Sequence, residues 1–487
     1  MRSTVYGTLY RRVLLPLFER GLKGRQTLRY WREAELSQWW DASRLREFQL
    51  QALRNLLRHA AETCPAHRER FTRAGVDAGS LHTLEDFQRW PLMTREIIRE
   101  QRFELRSIAP FRLLTKGTGG SSGVPLQFDL DEASHERRIA MTHRGYGWAG
   151  GEPGTKQLYV WGSHVGQVPR WKQLKSSLHA RFNRHTMISC FDFRPETMRG
   201  HLERWNRCRP EVVVAYTGPL YELARYVEQH RLEVFAPRSI IVGAEKLHDF
   251  QRETMQRVFG APVFETYGSR EFMLIGAECE RHAGLHLSME NLLVEILDDQ
   301  GQPVPAGQEG NVVITDLFNY GMPFIRYVNG DRAIAGFEMC PCGRGLPLLK
   351  QVVGRQLDVL ETADGRKIPG EFFPHLLKEF PAIRRFQVVQ RDPSLITLRL
   401  VTSEAFTDSD RAMLTAEVMQ KTGTETEIVL DFVDDIPLTR AGKLKVVVRE
   451  LPDDVPADVS ATEAVEPGAE AGGRPEASPS ETPILPG

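Results

Sequence analysis

Between Leu158 and Phe259 short apolar runs alternate with segments of helical period, and this alternation constrains the fold more than any other feature of the chain. Leu158 to Trp161, Glu211 to Ala215 and Ser239 to Val242 read as strands, and Leu220 to Gln229 and Asp249 to Phe259 read as helices. Such an order predicts an α/β sheet. Ligands of these sheets sit beyond the carboxyl ends of the strands. Tyr216-Thr217-Gly218, Gly243-Ala244-Glu245 and Tyr267-Gly268-Ser269 fall at strand ends, so one cleft is expected there.

The 487 residues can bury a large core and should form more than one domain. A formal net charge of −1 points toward neither nucleic acid nor an anionic membrane as a global partner. No apolar run approaches the roughly 20 residues that span a bilayer, and no signal-peptide pattern opens the chain, so a cytoplasmic protein is expected. Six cysteines in so long a chain do not form a disulfide scaffold; Cys340-Pro341-Cys342 reads as a reduced metal or structural element.

Val5 to Leu22 mixes Tyr, Leu and Phe with Arg11, Arg12, Glu19 and Arg20, a pattern of an amphipathic helix. Packing on its own domain is the commoner fate of such a helix; resting on a membrane surface is the alternative. Helical period continues over Leu45 to Ala61, and Leu84 to Trp90 reads as a helix stopped by Pro91. After a helix over Glu132 to Trp148 and the α/β region, strands over Leu292 to Leu297 and Asn311 to Thr315 flank an Asp298-Asp299-Gln300-Gly301 turn and predict a β-rich subdomain. Past Gly354-Arg355, strands near Phe386 to Val389 and Leu395 to Val401 and a helix over Asp408 to Thr422 predict a small α+β domain. The expected division is a large domain at 1–357, a small one at 358–451 and a disordered tail at 452–487, rich in Pro, Ala, Glu and Ser.

One loop stands out for chemistry. Thr118, Gly119, Gly120, Ser121, Ser122 and Gly123 lie between two strand-like runs. Glycines let backbone N–H groups approach a phosphate closely, and the hydroxyls add donors. The loop lacks the Gly-Lys-Ser/Thr of a Walker A motif, and a plain surface turn has the same composition.

Taken in order, Thr118 to Pro125, Gly243-Ala244-Glu245, Tyr267-Gly268-Ser269-Arg270-Glu271, Tyr327-Val328-Asn329-Gly330-Asp331, Gly354-Arg355 with Asp358, and Pro437 to Lys443 form a series. The series resembles the adenylate-forming superfamily of acyl-CoA synthetases and luciferases. Within it the chain looks most like the phenylacetate-CoA-ligase branch and its CapK-type relatives. The resemblance implies a large α/β domain with a β-rich subdomain and a small, mobile α+β C-terminal domain hinged near Asp358.

It also implies the roles. The Thr118 to Gly123 loop would hold the ATP phosphates; Val124 stands where many members carry Lys. Tyr267 and Gly268 would face adenine beside Gly243, Ala244 and Glu245, and Glu271 would hold Mg²⁺. Asp331 would accept from the ribose diol, Arg355 would contact ribose or phosphate oxygens, and Lys443 would stabilise charge on the α-phosphate. A carboxylic acid becomes acyl-AMP with release of pyrophosphate, and the acyl group then passes to coenzyme A. Transfer to an amine or carrier is the alternative, and a non-catalytic scaffold keeping the fold is an alternative of another class.

Cys279, Cys340 and Cys342 with a histidine would supply tetrahedral S₃N ligation of a structural zinc, against a reading as ordinary buried cysteines. His286 is preferred to His282 because it begins a strand-like segment. Tyr146, Trp148, Trp161, Tyr216 and Phe264 are candidates for an acyl pocket that favours an aromatic or apolar acid.

Overall fold

The computed structural model describes residues 5–117, 126–161, 170–189, 195–336, 339–355, 359–364, 367–369, 372–377, 380, 382–437 and 446–449. Outside them lie Thr118, Gly119, Gly120, Ser121, Ser122, Gly123, Val124, Asp358, Lys443 and the 452–487 tail, and the side chain of Arg355 is also undescribed. The described residues divide into two compact units, one up to Arg355 and the other at 359–437 and 446–449. Among the described residues no helix is long and apolar enough to cross a membrane.

In the first unit, β1 (Leu113–Gly117) and β2 (Gln127–Asp131) make an antiparallel ribbon whose loop is the glycine-rich segment. A long sheet follows from β3 (Gln157–Trp161), β4 (His185–Ser189), β5 (Val212–Tyr216), β6 (Ser239–Gly243), β7 (Val263–Ser269), β8 (Met273–Glu278), β9 (Leu285–Leu287), β10 (Leu292–Leu297), β11 (Glu309–Asp316), β12 (Tyr327–Ala335) and β13 (Leu348–Arg355). Its spatial order is β10-β11-β12-β13-β9-β8-β7-β6-β5-β3-β4. The β4-β3-β5-β6-β7 part is parallel, and every pairing from β7-β8 onward is antiparallel. The β-rich region therefore continues the same sheet through β7 instead of standing beside it.

Burial explains the parallel part. Every residue of β5 and β6 is buried, as strands covered on both faces require. Val213, Ala215, Ile240 and Val242 pack on Trp205, Leu220, Leu223 and Phe259 from helices Pro195–Cys208, Thr217–Gln229 and Asp249–Phe259. Their neighbours Val212, Val214 and Ile241 face Tyr146 and Ala149, at the end of helix Glu132–Trp148. That helix is held by two buried ion pairs, Arg138 to Asp316 and Arg144 to Glu290.

The second unit contains the hairpin β14 (Val359–Glu361) and β15 (Lys367–Pro369) and a sheet of β16 (Ile383–Asp392), β17 (Leu395–Thr402), β18 (Glu427–Phe432) and β19 (Val447–Arg449) in the order β18-β17-β16-β19. Helix Asp408–Thr422 buries Leu414 and Val418 in one cluster with Val388, Leu398 and Leu400. Its start is set by a capping box between Thr407 and Asp410.

One local expectation is corrected. Residues 85–89 form a 3₁₀ helix, because Trp90 turns extended at ψ 142° before Pro91 and leaves too short a run for α turns. Residues 5–22 are helical as expected, yet most of their turns are π turns.

Candidate nucleotide site and metal centre

The ends of β6 and β7 and the start of β12 bring together one polar cluster. Ala244, just past β6, holds φ +70°, a left-handed conformation uncommon for a residue with a β-carbon. The adjoining Glu245 turns its carboxylate onto the N–H of Gly218 at 2.7 Å, capping helix Thr217–Gln229. Both features fix the Gly243-Ala244-Glu245 backbone at the strand end.

Tyr267 lies in β7, buried among the apolar side chains between the sheet and the β1-β2 ribbon. Its hydroxyl donates to Asp331 Oδ2 at 2.8 Å and accepts from Asn329 Nδ2 at 2.8 Å. Asn329 also donates to Asp331 Oδ2 at 2.9 Å and accepts the Asp331 N–H at 3.0 Å. The Asp331 carboxylate is thus oriented from two sides. Across the β12-β13 ladder Asp331 faces Arg355, so those two positions share one face of the sheet.

Gly268 admits no side chain: a β-carbon there would meet the Met273 carbonyl oxygen at 2.2 Å. This close approach, at an irregularity in the β7-β8 ladder, folds the hairpin tightly and puts Glu271 at its tip. Glu271 is nevertheless buried. The fully buried Arg138 donates to its carbonyl, and the neighbouring Phe272 is sunk in the core. Arg270 donates to the Gly117 carbonyl at 3.4 Å, which sets the hairpin against the neck of the glycine-rich loop.

Two site residues escape sequence reasoning. Arg95, on helix Arg95–Gln101, lies 3.6 Å from Glu271 Oε1, and the Tyr327 hydroxyl lies 3.4 Å from the same oxygen. Burial works against the Arg95 charge, but Tyr327, Glu271 and Asp331 outweigh it and raise its pKa. The other is Asn329, which stands inside the Tyr327 to Asp331 motif but is given no role of its own by the sequence. Arg95 carries no local signal, since an arginine opening a short helix looks like a surface charge.

Behind this wall, burial and then the Glu278 charge push the Glu265 carboxyl up to about 7. Glu278 itself accepts from Arg252 at 2.8 Å and from His282 at 3.1 Å. His282 is committed to that cluster.

His286 stands elsewhere, in β9, with Cys279, Cys340 and Cys342, and the four ligand atoms all lie within 4.8 Å of one another. Cys279 Sγ and Cys340 Sγ are 3.6 Å apart, and Cys342 Sγ is 3.4 Å from His286 Nε2. A tetrahedron with zinc–sulfur bonds of about 2.3 Å and a zinc–nitrogen bond of about 2.0 Å has edges of about 3.5–3.8 Å. The N–H groups of Arg281 and Arg344 point at Cys279 and Cys342 sulfurs, each at 3.4 Å. His286 Nδ1 is 3.3 Å from the Leu346 carbonyl, which leaves Nε2 toward the thiols. Gly345 lets this loop dock, since a β-carbon there would meet the Trp40 carbonyl at 1.8 Å. These four residues fit a four-coordinate zinc.

The aromatic candidates lie near one another: Tyr146, Phe264, Trp148 and Trp161 share one cluster, and Tyr216 touches Trp161. Trp161 and Tyr216 face each other at the ends of β3 and β5, 4.2 Å between centroids. Tyr146 and Phe264 are buried in the core between sheet and helix. Trp148 packs against that same cluster, as Trp161 does, and also reaches the thiol site: its indole N–H donates to Gln38 at 2.9 Å and its ring lies edge-on to His286 at 5.3 Å. As the last residue of its helix, it touches the thiol site through the His286 ring.

The CapK C-terminal domain matches residues 360–450. Protein CapK of Staphylococcus aureus is 23% identical over 379 residues, 77% of this chain and 82% of that protein. A phenylacetate-coenzyme A ligase of Thermus thermophilus is 24% identical over 387 residues, 74% and 82% of the respective chains. The structure of 2-hydroxyisobutyryl-CoA ligase in its postadenylation state superposes with a TM-score of 0.68 at 21% identity, covering 84% of this chain and 90% of that one. The last likeness concerns the fold.

Proposed function

The chain belongs to the adenylate-forming superfamily, in the branch of the phenylacetate-CoA ligases and CapK, and from that premise we propose that it activates a carboxylic acid with ATP and transfers the acyl group to coenzyme A. The observation that carries this reading is the convergence of Tyr267, Glu271, Asp331 and Arg95 beside the neck of the glycine-rich loop.

In the first step a carboxylate oxygen attacks the α-phosphorus, the bond to the bridging oxygen of pyrophosphate breaks, and acyl-AMP remains. Asp331, held by Tyr267 and Asn329, accepts from the ribose diol, with Arg355 as its cross-strand neighbour. The ring of Tyr267 and the fixed Gly243-Ala244-Glu245 backbone border the adenine. Glu271 would hold Mg²⁺, whose charge would offset that of the triphosphate. Donors of the Thr118 to Gly123 loop hold the departing pyrophosphate, and Lys443 meets the charge building on the α-phosphate. In the second step the coenzyme A thiol, losing its proton, attacks the acyl carbon, and AMP leaves as the carbon–oxygen bond breaks. Trp161 and Tyr216, in ring contact at the strand ends, would meet the acyl group. The test is acid-dependent release of pyrophosphate with and without coenzyme A.

We assign the Cys279, His286, Cys340 and Cys342 cluster to a structural zinc, because four protein ligands leave no open position. Purified protein should contain about one zinc per chain by elemental analysis. Cys340→Ser/Cys342→Ser should lower the melting temperature by about 5–10 °C. Metal-free protein of unchanged melting temperature would remove zinc from the account.

A further inference from the structure

Seven of the 17 large hydrophobic side chains exposed among the described residues lie in just two helical segments, residues 5–22 and helix Arg170–Asn183. In the first, Leu9, Val13 and Leu17 recur every fourth residue, and Leu17 is 62% exposed. In the second, Trp171, Leu174 and Leu178 recur at three and four, with exposures of 59, 63 and 60%. Side chains at such spacings lie on one helix face. The two segments are neighbours in space. Tyr6 donates to the Phe182 carbonyl at 3.0 Å, and Phe18 packs on Phe182 at 5.3 Å between centroids. Phe182 continues the Trp171-Leu174-Leu178 stripe by one more turn, so that stripe runs directly into the first helix.

Charge on the two segments themselves is almost all basic, although Glu152 from the neighbouring loop pairs with Arg11 at 2.7 Å and Glu136 accepts from the Gln26 N–H at 2.7 Å. Glu19 is the single acidic residue between positions 5 and 25, and it is buried and 3.6 Å from Arg25. Residues 170–184 contain no acidic residue. The exposed charges beside the stripes are Arg12, Arg20, Lys23, Lys175 and Arg181. On its other side, helix Arg170–Asn183 borders a cavity of about 540 Å³ lined by Lys156, Arg181, Arg184 and Arg204 together with Ser176 and Ser177. Glu211 offsets part of that charge, lying 3.3 Å from Arg184. The chain as a whole carries −1, so this face is a local basic surface on a near-neutral protein.

We propose that this face docks on an anionic lipid bilayer, with the leucines and Trp171 entering the interface and the basic side chains meeting the headgroups. An apolar stripe of Trp and Leu flanked by Lys and Arg has the chemistry of an interfacial helix. A second copy of the chain is disfavoured as occupant, because pairing like faces would set the two basic rims against each other. The cavity opens at the amino ends of β3 and β4, where Lys156, Arg184 and His185 lie, whereas the candidate nucleotide site lies at the carboxyl ends of the strands. Membrane docking would therefore leave that site accessible, and the inference does not depend on the proposed reaction.

Flotation of the full chain with vesicles tests it. The protein should float with phosphatidylcholine vesicles containing an equal share of phosphatidylglycerol, stay behind with phosphatidylcholine alone, and be released by high salt. Leu174→Glu/Leu178→Glu and, separately, Lys175→Glu/Arg181→Glu should each weaken binding about tenfold or more, with an unchanged circular dichroism spectrum. If either variant fails to fold, Val13→Glu/Leu17→Glu on the other helix supplies the same test. Equal flotation with neutral vesicles, no flotation at all, undiminished binding by the folded variants, or dimerisation lost on the same substitutions would overturn the proposal, the last assigning the face to a second copy.

Discussion

Replacing Arg138 by leucine should destabilise the first unit by about 3–5 kcal/mol, the usual cost of leaving one member of a buried ion pair without its partner. Arg138 and Asp316 are both fully buried, and Arg138 Nε is 3.2 Å from Asp316 Oδ2. Ser134 and the Phe318 N–H, at 3.3 and 3.0 Å, are the other donors on that carboxylate, and they do not neutralise it. The same substitution strips the donor from the Glu271 carbonyl, so catalysis should fall with stability. Arg138 touches none of the reacting atoms; it is a positioning residue. Adding Asp316→Asn should restore a large part of the stability and little of the activity, since the carbonyl of Glu271 still lacks its donor. Denaturant unfolding of the two variants separates these effects. A single variant within about 1 kcal/mol of the parent would mean that the pair does not hold helix Glu132–Trp148 to the sheet.

Lys443→Ala should slow acyl-adenylate formation by about 10²–10³-fold while leaving the folded protein intact. The expectation rests on family resemblance at the Pro437 to Lys443 motif. A cation following the α-phosphate acts where charge develops, so its removal should lower the rate and barely change ATP affinity. Lys443→Arg tests geometry separately from charge, because a planar guanidinium does not replace a compact ammonium. Burst measurements of pyrophosphate release read the step directly. An undiminished burst in Lys443→Ala would remove this lysine from the mechanism.

The sequence carried much of the secondary structure because periodicity is a local property. Helices Asp249–Phe259 and Asp408–Thr422 and strand Leu292–Leu297 have the limits their patterns predict. Sheet order was not legible. Nothing near Val263–Ser269 marks the strand at which parallel pairing gives way to antiparallel, because that choice is made by partners far away in the chain. The same holds for the site. Asp331 and Tyr267 could be named from motifs, but Asn329 and Arg95 gain meaning only when β7, β12 and helix Arg95–Gln101 meet. Arg138 sits mid-helix, where an arginine usually points to solvent, and only the fold shows it buried. His282 and His286 are four residues apart and nearly equivalent in sequence; a left-handed turn at His282, φ +49°, and its contact with Glu278 separate them. Trp148 illustrates the opposite limit, since its aromatic character says nothing of which clusters it will touch.

One measurement bears most directly on the central claim: incubation of the protein with ATP, Mg²⁺ and a library of carboxylic acids, with products resolved in the presence and absence of coenzyme A. At least one acid should drive formation of AMP and pyrophosphate, with acyl-AMP retained when coenzyme A is omitted and an acyl-CoA thioester formed when it is supplied. Acid-dependent ADP and phosphate in place of AMP and pyrophosphate, or no acid-dependent turnover of ATP by folded protein across the library, would contradict that claim.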